Sequence, residues 1–479
     1  MHDIHHTIDP VTRIEGHAKI TLRLGSDGEV SDARFHVTEF RGFEEFCKGR
    51  PIAEMPGLTA RTCGICPVSH LIAASKAGDA VMAVTPPPAA LRQRRLLNLG
   101  QILQSHSLSF FHLSAPDLLL GMDHDPATRN VFGLMQAEPD IARRGIRLRQ
   151  FGLEVIEAVS GRRVHGNQVV PGGVASVFTA EQREKIVADL DEMLHAATAT
   201  LELLTSVSDR FSRELASFGD FRSLYLGHLA PDGTWEHVEG RLTMIDHDGS
   251  VVLNQVDPAD YRDYLGEAGK SDSYLKSPYY RGYVDSDDPK PGMYRVGPLA
   301  RINLAERFGT PIADQGLAEF RERYGRIASS AFLYHHARVL EVIACVERIA
   351  ALMDDPVLLE ERVRAQAGIN ARRGVGASEA PRGLLIHDYE VDANGLIEGM
   401  NLIIATGQND LAMNQTILDI AREFVDGPEL TDGVLNRIEA GIRAYDPCLS
   451  CSTHAIGQMP MKVQLIAPDG EMLHEVRRD

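Results

Sequence analysis

Two pairs of cysteines with the same spacing lie near opposite ends of the 479-residue chain. The first pair is Cys63 and Cys66 in RTCGICPVSH, and the second is Cys448 and Cys451 in DPCLSCSTH. Two cysteines separated by two residues present both sulfurs to one metal from a single turn. Because zinc ribbons separate their pairs by only about 15 to 20 residues, these distant pairs form a shared centre only if the two ends of the fold meet.

Three interpretations of the pairs compete. Either pair alone is typical of structural thiols or a small zinc site. Thioredoxin-like redox chemistry is disfavoured because no strand-then-helix unit of the right kind surrounds Cys63. Arg61 and Gly64 accompany the first pair, Asp446 and Pro447 precede the second, and a histidine follows each pair. A structural zinc site does not need such polar neighbours, so the context favours a functional centre.

Composition limits the possible partners and location. The 49 basic and 67 acidic side chains give a net charge of −18, which disfavours binding to nucleic acid or an anionic membrane. Six cysteines are too few for a disulfide scaffold. The N-terminus lacks a basic-then-apolar signal, and no apolar run approaches the roughly 20 residues of a membrane span. The sequence predicts a cytoplasmic protein.

Hydrophobic patterning predicts a mainly helical α+β fold with no clean domain boundary. Period-two alternation predicts hairpins over residues 17–40 (turn at Ser26–Gly28), 240–252, 384–406 and 461–478. Helices are predicted at about 89–112, 139–159, 329–353, 409–425 and 430–443, and from Thr179, where Thr179 and Gln182 make a capping box ahead of apolar positions up to Leu201. The long helices are expected to form one central bundle with small peripheral sheets.

These motifs resemble those of nickel-iron hydrogenase large subunits. RTCGIC and DPCLSCSTH are similar to the two signature motifs of that family, and the likeness continues through IDPVTRIEGHAKI, TEFRGFEEFCKGRP, PGGV, YRVGPLARIN, EAPRG and ATGQND. It covers essentially the whole chain and is strongest to the bidirectional, NAD-linked group. The resemblance implies the hydrogenase large-subunit fold over residues 1–454 and reversible heterolytic cleavage of H2.

The resemblance also implies a nickel-iron centre at the cysteines. Cys63 and Cys448 match the terminal thiolate ligands of nickel, and Cys66 and Cys451 match the thiolates that bridge nickel to iron. In this family the iron carries carbon monoxide and cyanide. Soft thiolates suit both metals and can also accept a proton.

Four further residues match the groups that cover the open side of the centre in this family. They are Arg382 and Pro381 in EAPRG, Asp117 in SAPD, and Asp446. A fixed guanidinium at this position would polarise the incoming molecule. Without the resemblance, Arg382 would be interpreted as half of a surface salt bridge.

Glu15 and His70 are expected to lie beside the thiolates. Glu15 in TRIEGH matches the carboxylate that takes a proton from a nickel thiolate and passes it towards solvent, a suitable role if burial raises its pKa. His70, four residues after Cys66, matches a histidine beside the bridging sulfur. The simpler interpretations are a carboxylate at the end of a helix or strand and a core histidine.

Glu44 and His454 match ligands of a separate cation, usually magnesium, although carboxylate and imidazole do not select magnesium by themselves. In this family a maturation endopeptidase removes the segment after the motif histidine once nickel-insertion proteins have loaded the metal. The resemblance therefore implies that residues 455–479 are a removable C-terminal extension. Their alternation alone favours an ordinary terminal hairpin.

The remaining residues indicate that electrons leave through other subunits. Cys47 and Cys345 are isolated and cannot hold a four-cysteine cluster. GVGASE, residues 374–379, is a poor dinucleotide fingerprint. The resemblance therefore implies an iron-sulfur small subunit as partner and, if NAD is reduced, diaphorase subunits that carry the FMN and NAD sites. The rival hypotheses are a structural zinc protein and a non-catalytic relative of the quinone-pocket subunit of respiratory complex I, which lacks the four thiolates.

Overall fold

The computed structural model describes residues 5–25, 29–40, 42–270, 273–426, 430–453, 461–466 and 472–478. For residues 5–6, 461–466 and 472–478 it describes the backbone only. The described chain consists of a helical core with small sheets around it, which confirms the predicted α+β architecture.

The α-helices are α1 (Phe43–Phe46), α2 (Met55–Thr59), α3 (Pro67–Met82), α4 (Pro88–Ser107), α5 (Val131–Ala137), α6 (Pro139–Ser160), α7 (Ala180–Val187), α8 (Leu190–Ser208), α9 (Ser212–Ser217), α10 (Tyr261–Tyr264), α11 (Pro298–Leu304), α12 (Pro311–Tyr324), α13 (Tyr334–Asp354), α14 (Ala405–Gln408), α15 (Asp410–Phe424), α16 (Asp432–Tyr445) and α17 (Leu449–Ser452). Helix α4 continues as π-helical turns at Leu108–Ser114 and Pro116–Leu120.

The strands are β1 (His5–Ile8), β2 (Ala18–Leu24), β3 (Val30–Val37), β4 (Val169–Val170), β5 (Gly173–Val174), β6 (Leu224–Leu229), β7 (Arg241–Ile245), β8 (Val251–Val256), β9 (Leu265–Lys270), β10 (Ser273–Tyr280), β11 (Tyr294–Arg295), β12 (Arg373–Ala380), β13 (Gly383–Val391), β14 (Ile397–Ile403), β15 (Met461–Ile466) and β16 (Met472–Arg478). They pair as the sheets β1-β2-β3, β4-β5, β11-β6-β7-β8, β9-β10, β12-β13-β14 and β15-β16. All pairs are antiparallel except β6 with β11.

The predicted central bundle is formed by α4, α6, α8 and α13. Helix α4 packs against α6 and α13, and α8 packs against the same two helices. Gly100 on α4 and Gly152 on α6 allow a close crossing, because a Cβ on Gly152 would lie 2.7 Å from the carbonyl oxygen of Gly100. Leu148, Phe151 and Val155 form part of the buried face of α6. Helices α15 and α16 pack against each other, and α16 also contacts α13.

Two of the peripheral sheets hold the chain segments that carry the cysteines. Helix α3, which begins directly after Cys66, packs along β12 of the β12-β13-β14 sheet. In the β9-β10 hairpin, Leu275 forms an isolated antiparallel bridge with Thr453, near the end of the second cysteine motif. The chain segments that carry the two cysteine pairs are therefore both fixed to elements around one interior region.

Most predicted elements are confirmed, with shifted ends. The helix expected from Thr179 starts with the predicted capping box but breaks after Val187 and resumes at Leu190. Asp189, in the break, pairs with Arg147 of α6 at 2.7 Å. The predicted turn at residues 26–28 lies outside the described residues, whereas the strands beside it pair as expected. The terminal segment forms the predicted hairpin, β15 with β16.

Candidate metal centre and its surroundings

The four paired cysteines meet in one buried cluster. The Sγ–Sγ distances are 3.2 Å for Cys63 and Cys448, 3.4 Å for Cys66 and Cys451, and 3.0 Å for Cys448 and Cys451. These separations far exceed a disulfide bond of about 2.05 Å, and all four thiols are free. Their sulfurs lie within 4.8 Å of one another. Among the described residues, no other group of three or more histidines, cysteines or carboxylates is arranged to hold a metal.

The first pair is held mainly by α4. Cys63 follows a short 3₁₀ turn, and Cys66 is the residue before α3. Between them, the carbonyl of Ile65 accepts hydrogen bonds from the side-chain amides of Gln101 at 2.6 Å and Gln104 at 2.8 Å. The sequence patterns did not predict these two glutamines. The available signal was a pair of amides three residues apart, on either side of Ile102 and Leu103 in the helix.

The second pair is held by residues from both halves of the chain. Asp446 ends α16 in the left-handed conformation, with φ of 54°, and turns the chain into the cysteine motif. The backbone N–H of Cys448 donates to Thr406 Oγ1 at 2.9 Å. Glu15 forms a parallel bridge with Cys448, and its carbonyl accepts from Leu449 N–H at 3.2 Å. The N-terminal and C-terminal segments therefore meet at the cluster.

The four buried thiols shift one another's pKa values. Hydrogen bonds from Cys448 and Cys451 hold the pKa of Cys63 well below its usual value and lower that of Cys66 to about 6, and the Arg382 charge adds to the effect at Cys63. Burial raises the pKa values of Cys448 and Cys451 well above their usual value. Thiolate formation on binding displaces the remaining protons. A buried set of four soft sulfurs fits nickel and iron.

Arg382 is a buried residue of the site, so its interpretation as a surface salt bridge is wrong. Its side chain donates through Nε to the carbonyl of Asp446 at 2.5 Å and through one terminal nitrogen to Asp446 Oδ1 at 3.0 Å. Only 3% of the residue is exposed. Burial opposes its charge, but Asp446 and the cysteine thiolates raise the pKa of the guanidinium. Arg382 is therefore a fixed cation beside the cysteine cluster.

Pro381 and Asp117 have different surroundings. Pro381 directly precedes Arg382, and its carbonyl accepts from Arg301. Asp117, in the π-helical turn after α4, pairs with Arg13 at 2.6 Å and Arg443 at 3.4 Å. The contacts that the structure describes for Asp117 include neither Arg382 nor a cysteine, so its place above the centre stays a prediction.

Glu15 and His70 contact different parts of the site. The Glu15 carboxylate accepts from Ser450 N–H at 3.0 Å and from the Ser450 hydroxyl, inside the second motif. His70 lies on α3, one turn after Cys66, and its ring nitrogens face Thr62 Oγ1 at 3.3 Å and His387 Nε2 at 3.1 Å. Because the Thr62 hydroxyl donates to Thr59, it accepts from His70, and His387 then donates to His70. Of these two residues, Glu15 is the one that contacts the second motif directly.

Glu44 contacts an ammonium group. Lys276 Nζ lies 2.9 and 3.1 Å from the two Glu44 oxygens, 3.0 Å from Asn401 Oδ1 and 3.4 Å from Glu267. The N–H of Leu402 donates to the same Glu44 carboxylate at 2.9 Å. Carboxylate and amide oxygens of this kind suit a hard cation. His454 lies outside the described residues, so its pairing with Glu44 stays a prediction.

The two isolated cysteines remain apart from the cluster. Burial raises the pKa of Cys47 to about 11 and that of Cys345 well above its usual value. Residues 374–379 belong to strand β12 rather than to a loop at the start of a helix. This placement agrees with the interpretation that GVGASE is not a dinucleotide-binding motif.

The sequence matches known families along most of its length. Residues 41–126 and 243–454 match the family described as nickel-dependent hydrogenase, and residues 6–40 match a family described as HoxL-like. The chain is 39% identical to the NAD-reducing hydrogenase HoxS subunit beta of Cupriavidus necator, over 98% of this chain and 99% of that protein. It is 40% identical to one chain of the F420-non-reducing hydrogenase of Methanothermobacter thermautotrophicus, over 97% and 98% respectively.

Solved structures give the same result. The fold matches an NAD+-reducing nickel-iron hydrogenase in the H2-reduced state with a TM-score of 0.90 and 43% identity, over 94% of this chain and 99% of that chain. A nickel-iron-selenium hydrogenase from D. vulgaris Hildenborough shares the fold at a TM-score of 0.76 and 24% identity, over 95% and 100%.

Fold and site together define a metalloenzyme subunit with a thiolate-bound centre. The chain belongs to the nickel-dependent hydrogenase family and is a catalytic large subunit, with oxidoreductase activity. This assignment excludes the hypothesis of a structural zinc protein. Within the described residues, none of the helices combines the length and apolar character that a membrane span requires.

Proposed function

We propose that this subunit catalyses reversible heterolytic cleavage of H2 and passes the electrons through partner subunits to NAD or NADP in the cytoplasm. The observation that carries the proposal is the meeting of four buried sulfurs within 4.8 Å, beside the buried guanidinium of Arg382. A nickel-iron pair with carbon monoxide and cyanide on the iron, if held by these four sulfurs, would supply the Lewis acidity and redox chemistry. Cys63 and Cys448 would be terminal ligands of nickel, and Cys66 and Cys451 would bridge the metals.

The protein residues have separate tasks in this proposal. Arg382, fixed by Asp446 and buried, presents a positive charge to the reacting molecule. A cysteine thiolate accepts the proton of the cleaved molecule. Glu15 then receives that proton, since its carboxylate contacts Ser450 within the second cysteine motif. Asp117 and Pro381 would complete the cover above the centre, and His70 would orient the first pair.

Each H2 releases two electrons and two protons, so an electron-accepting partner is required. Among the described residues, neither Cys47 nor Cys345 belongs to a group of three or more side chains that could hold a metal or cluster. An iron-sulfur small subunit therefore takes the electrons, and flavin-bearing diaphorase subunits pass them to NAD(P). The similar identity to a chain of an F420-non-reducing hydrogenase favours, as second candidate, the same chemistry with a different acceptor module.

Glu44 and His454 are proposed to hold a magnesium ion near the mature chain end. Glu267 and Asn401 add oxygen atoms nearby, but Lys276 already contacts both oxygens of Glu44. A bound cation must therefore share Glu44 with this ammonium. Removal of residues 455–479 by the maturation endopeptidase, after nickel insertion, would precede the final closure of this region. Magnesium content of the wild type against Glu44→Gln tests the ion.

The whole proposal is tested on the complex purified with its partners. Elemental analysis should give about one nickel and one iron per large subunit beyond the cluster iron, and infrared spectra should show iron-bound carbon monoxide and cyanide. H2-dependent reduction of NAD or NADP tests the acceptor. Zinc without diatomic bands in tail-free protein contradicts the proposal, whereas iron without nickel in tail-bearing protein identifies an unfinished precursor. Full H2 oxidation with artificial acceptors but none with NAD(P) selects the second candidate.

A further inference from the structure

Arg301 on α11 is a fully buried arginine that uses every one of its donors. An arginine has five N–H groups in a fixed fork. Two of these groups bind the two oxygens of Glu341, both at 2.6 Å, and a third binds Glu379 Oε2 at 2.8 Å. The last two donate to the carbonyls of Ala380 at 3.0 Å and Pro381 at 3.1 Å. The two residues directly before Arg382 are therefore held by one side chain.

The two carboxylates that orient Arg301 are themselves fixed. Glu341 also accepts from Trp235 Nε1 at 3.2 Å and faces His106 Nε2 at 2.7 Å. Burial keeps His106 neutral by lowering its pKa to about 4, so the imidazole acts as a neutral donor to Glu341. The second oxygen of Glu379 accepts from the backbone N–H of His228 at 2.8 Å. The guanidinium of Arg301 consequently has a single orientation.

Two further residues lie against Arg382, one on α4 and one directly before α11. Ser105, next to His106 on α4, accepts a hydrogen bond from a terminal nitrogen of Arg382 at 3.4 Å. Gly297, directly before α11, has φ of 98°, and a Cβ there would lie 2.6 Å from the carbonyl oxygen of Arg382. The carbonyls of three successive residues, 380–382, thus face α11 or the residue before it. The Arg382 side chain leaves this turn towards the cysteine cluster.

We propose that Arg301 is a positioning residue for H2 cleavage, which fixes the Ala380–Arg382 turn and so aims the Arg382 guanidinium at the cysteine cluster. This inference rests on the proposed role of Arg382. A buried group of charges is a poor way to gain stability, because apolar residues of similar volume are often equally stabilising. A requirement for exact placement explains the network better, since a misplacement of about 1 Å costs roughly 100-fold in rate.

The test compares Arg301→Lys with Arg94→Lys in the complete enzyme. Lysine keeps the charge but loses the fork, so it cannot hold two carboxylates and two carbonyls together. Arg94 is a matched control: it is also fully buried, it pairs with Asp79, and it donates to the carbonyls of Val170 and Gly173. We expect Arg301→Lys to lower kcat about 100-fold with normal nickel and iron content, and Arg94→Lys to lower it less than about threefold.

A double-mutant cycle with Arg382→Lys identifies the route of the effect. If Arg301 acts through Arg382, adding Arg301→Lys to Arg382→Lys lowers kcat by less than about threefold further. Infrared bands of the iron-bound ligands should shift in the same direction in both single variants. Multiplicative losses in the double variant, or unchanged bands in Arg301→Lys, overturn the inference. A normal kcat for Arg382→Lys contradicts instead the proposed role of Arg382.

A milder variant tests the inference if the Arg301→Lys enzyme fails to mature. Trp235→Phe removes one N–H donor to Glu341 and leaves every charge of the network in place. If Arg301→Lys accumulates without nickel, we expect Trp235→Phe to mature and to lower kcat by about threefold to tenfold, with no further loss in the Arg382→Lys background. Full activity of mature Trp235→Phe, or the same fractional loss in both backgrounds, contradicts the positioning role.

Discussion

The two cysteine pairs have the same spacing but are supported in different ways. Cys63 and Cys66 lie beside two long helices: α3 begins after Cys66, and α4 supplies the glutamines that bind the loop between them. Cys451 lies on the four-residue helix α17 and Cys448 directly precedes it, and this pair is supported by residues far away in sequence, Glu15 and Thr406. The first half of the site is thus built locally, whereas the second half depends on the complete fold.

The largest effect is expected when one cysteine of either pair is replaced. The loss should be the same for both pairs, even though the pairs are supported in different ways. We expect Cys66→Ser and Cys451→Ser to contain no nickel and to show no H2 oxidation, because each removes a proposed bridging thiolate. Cys47→Ser, at a buried but isolated cysteine, is the control and should keep its metals. Metal content and activity are measured on the same preparations. A nickel-bearing Cys66→Ser enzyme would mean that the first pair is not essential.

The Glu15 carboxylate contacts the second half of the site, through Ser450. We expect Glu15→Gln to lower kcat by about 100-fold or more, since an amide cannot relay a proton, while metal content stays normal. Glu439→Gln is a matched control because Glu439 accepts from the N–H and hydroxyl of Thr12, both at 2.8 Å, as Glu15 does from Ser450. Steady-state H2 oxidation distinguishes the two variants. Equal losses in both would indicate that Glu15 only ties the chain ends together.

Loss of the glutamine contacts should lower the stability of the first half of the site, with a smaller effect than the two preceding changes. Gln101→Leu removes a bond to the Ile65 carbonyl at 2.6 Å and one from Val68 N–H at 3.1 Å. We expect the free energy of unfolding to fall by about 2 kcal/mol. Gln104→Leu removes one bond to the same carbonyl and should cost about 1 kcal/mol. Denaturant titration of the tail-bearing subunit measures both, and the reverse order would contradict the geometry.

An effect on stability as small as that of Gln104→Leu is expected at Thr406. Thr406→Val leaves the N–H of buried Cys448 without its acceptor, and we expect a loss of about 1 kcal/mol. Because this bond supports the second pair, we also expect slower nickel incorporation during maturation. Gln104→Leu, with similar cost in the first half, should mature at the normal rate. Time courses of tail removal test this contrast, and equal rates for the two variants would remove the distinction between the halves.

The sequence predicted the fold well wherever the signal is local. The alternation around Ile20 and Phe35 predicted the first hairpin, in which these residues pair, and the Thr179–Gln182 capping box is confirmed. The break at residues 188–189 was not predicted, and there Asp189 pairs with Arg147 on another helix. Local periodicity carries no information about such a contact.

The cysteine cluster was predictable because the residue type and spacing carry the chemistry. Residues that support it were not: Gln101, Arg301 and Lys276 act through partners between 36 and 232 positions away. An arginine or lysine in sequence looks like a surface charge, and only the fold brings a carboxylate to it. The roles of Asp117 and His454 stay predictions.

The distance between the two pairs has a consequence for synthesis. Cys63 and Cys448 are 385 positions apart. At about 5 to 20 residues per second, roughly 20 to 80 seconds pass between their emergence from the ribosome. During that interval a nascent chain offers a metal only two of its four sulfurs. The complete four-sulfur site is therefore available only when translation is nearly complete.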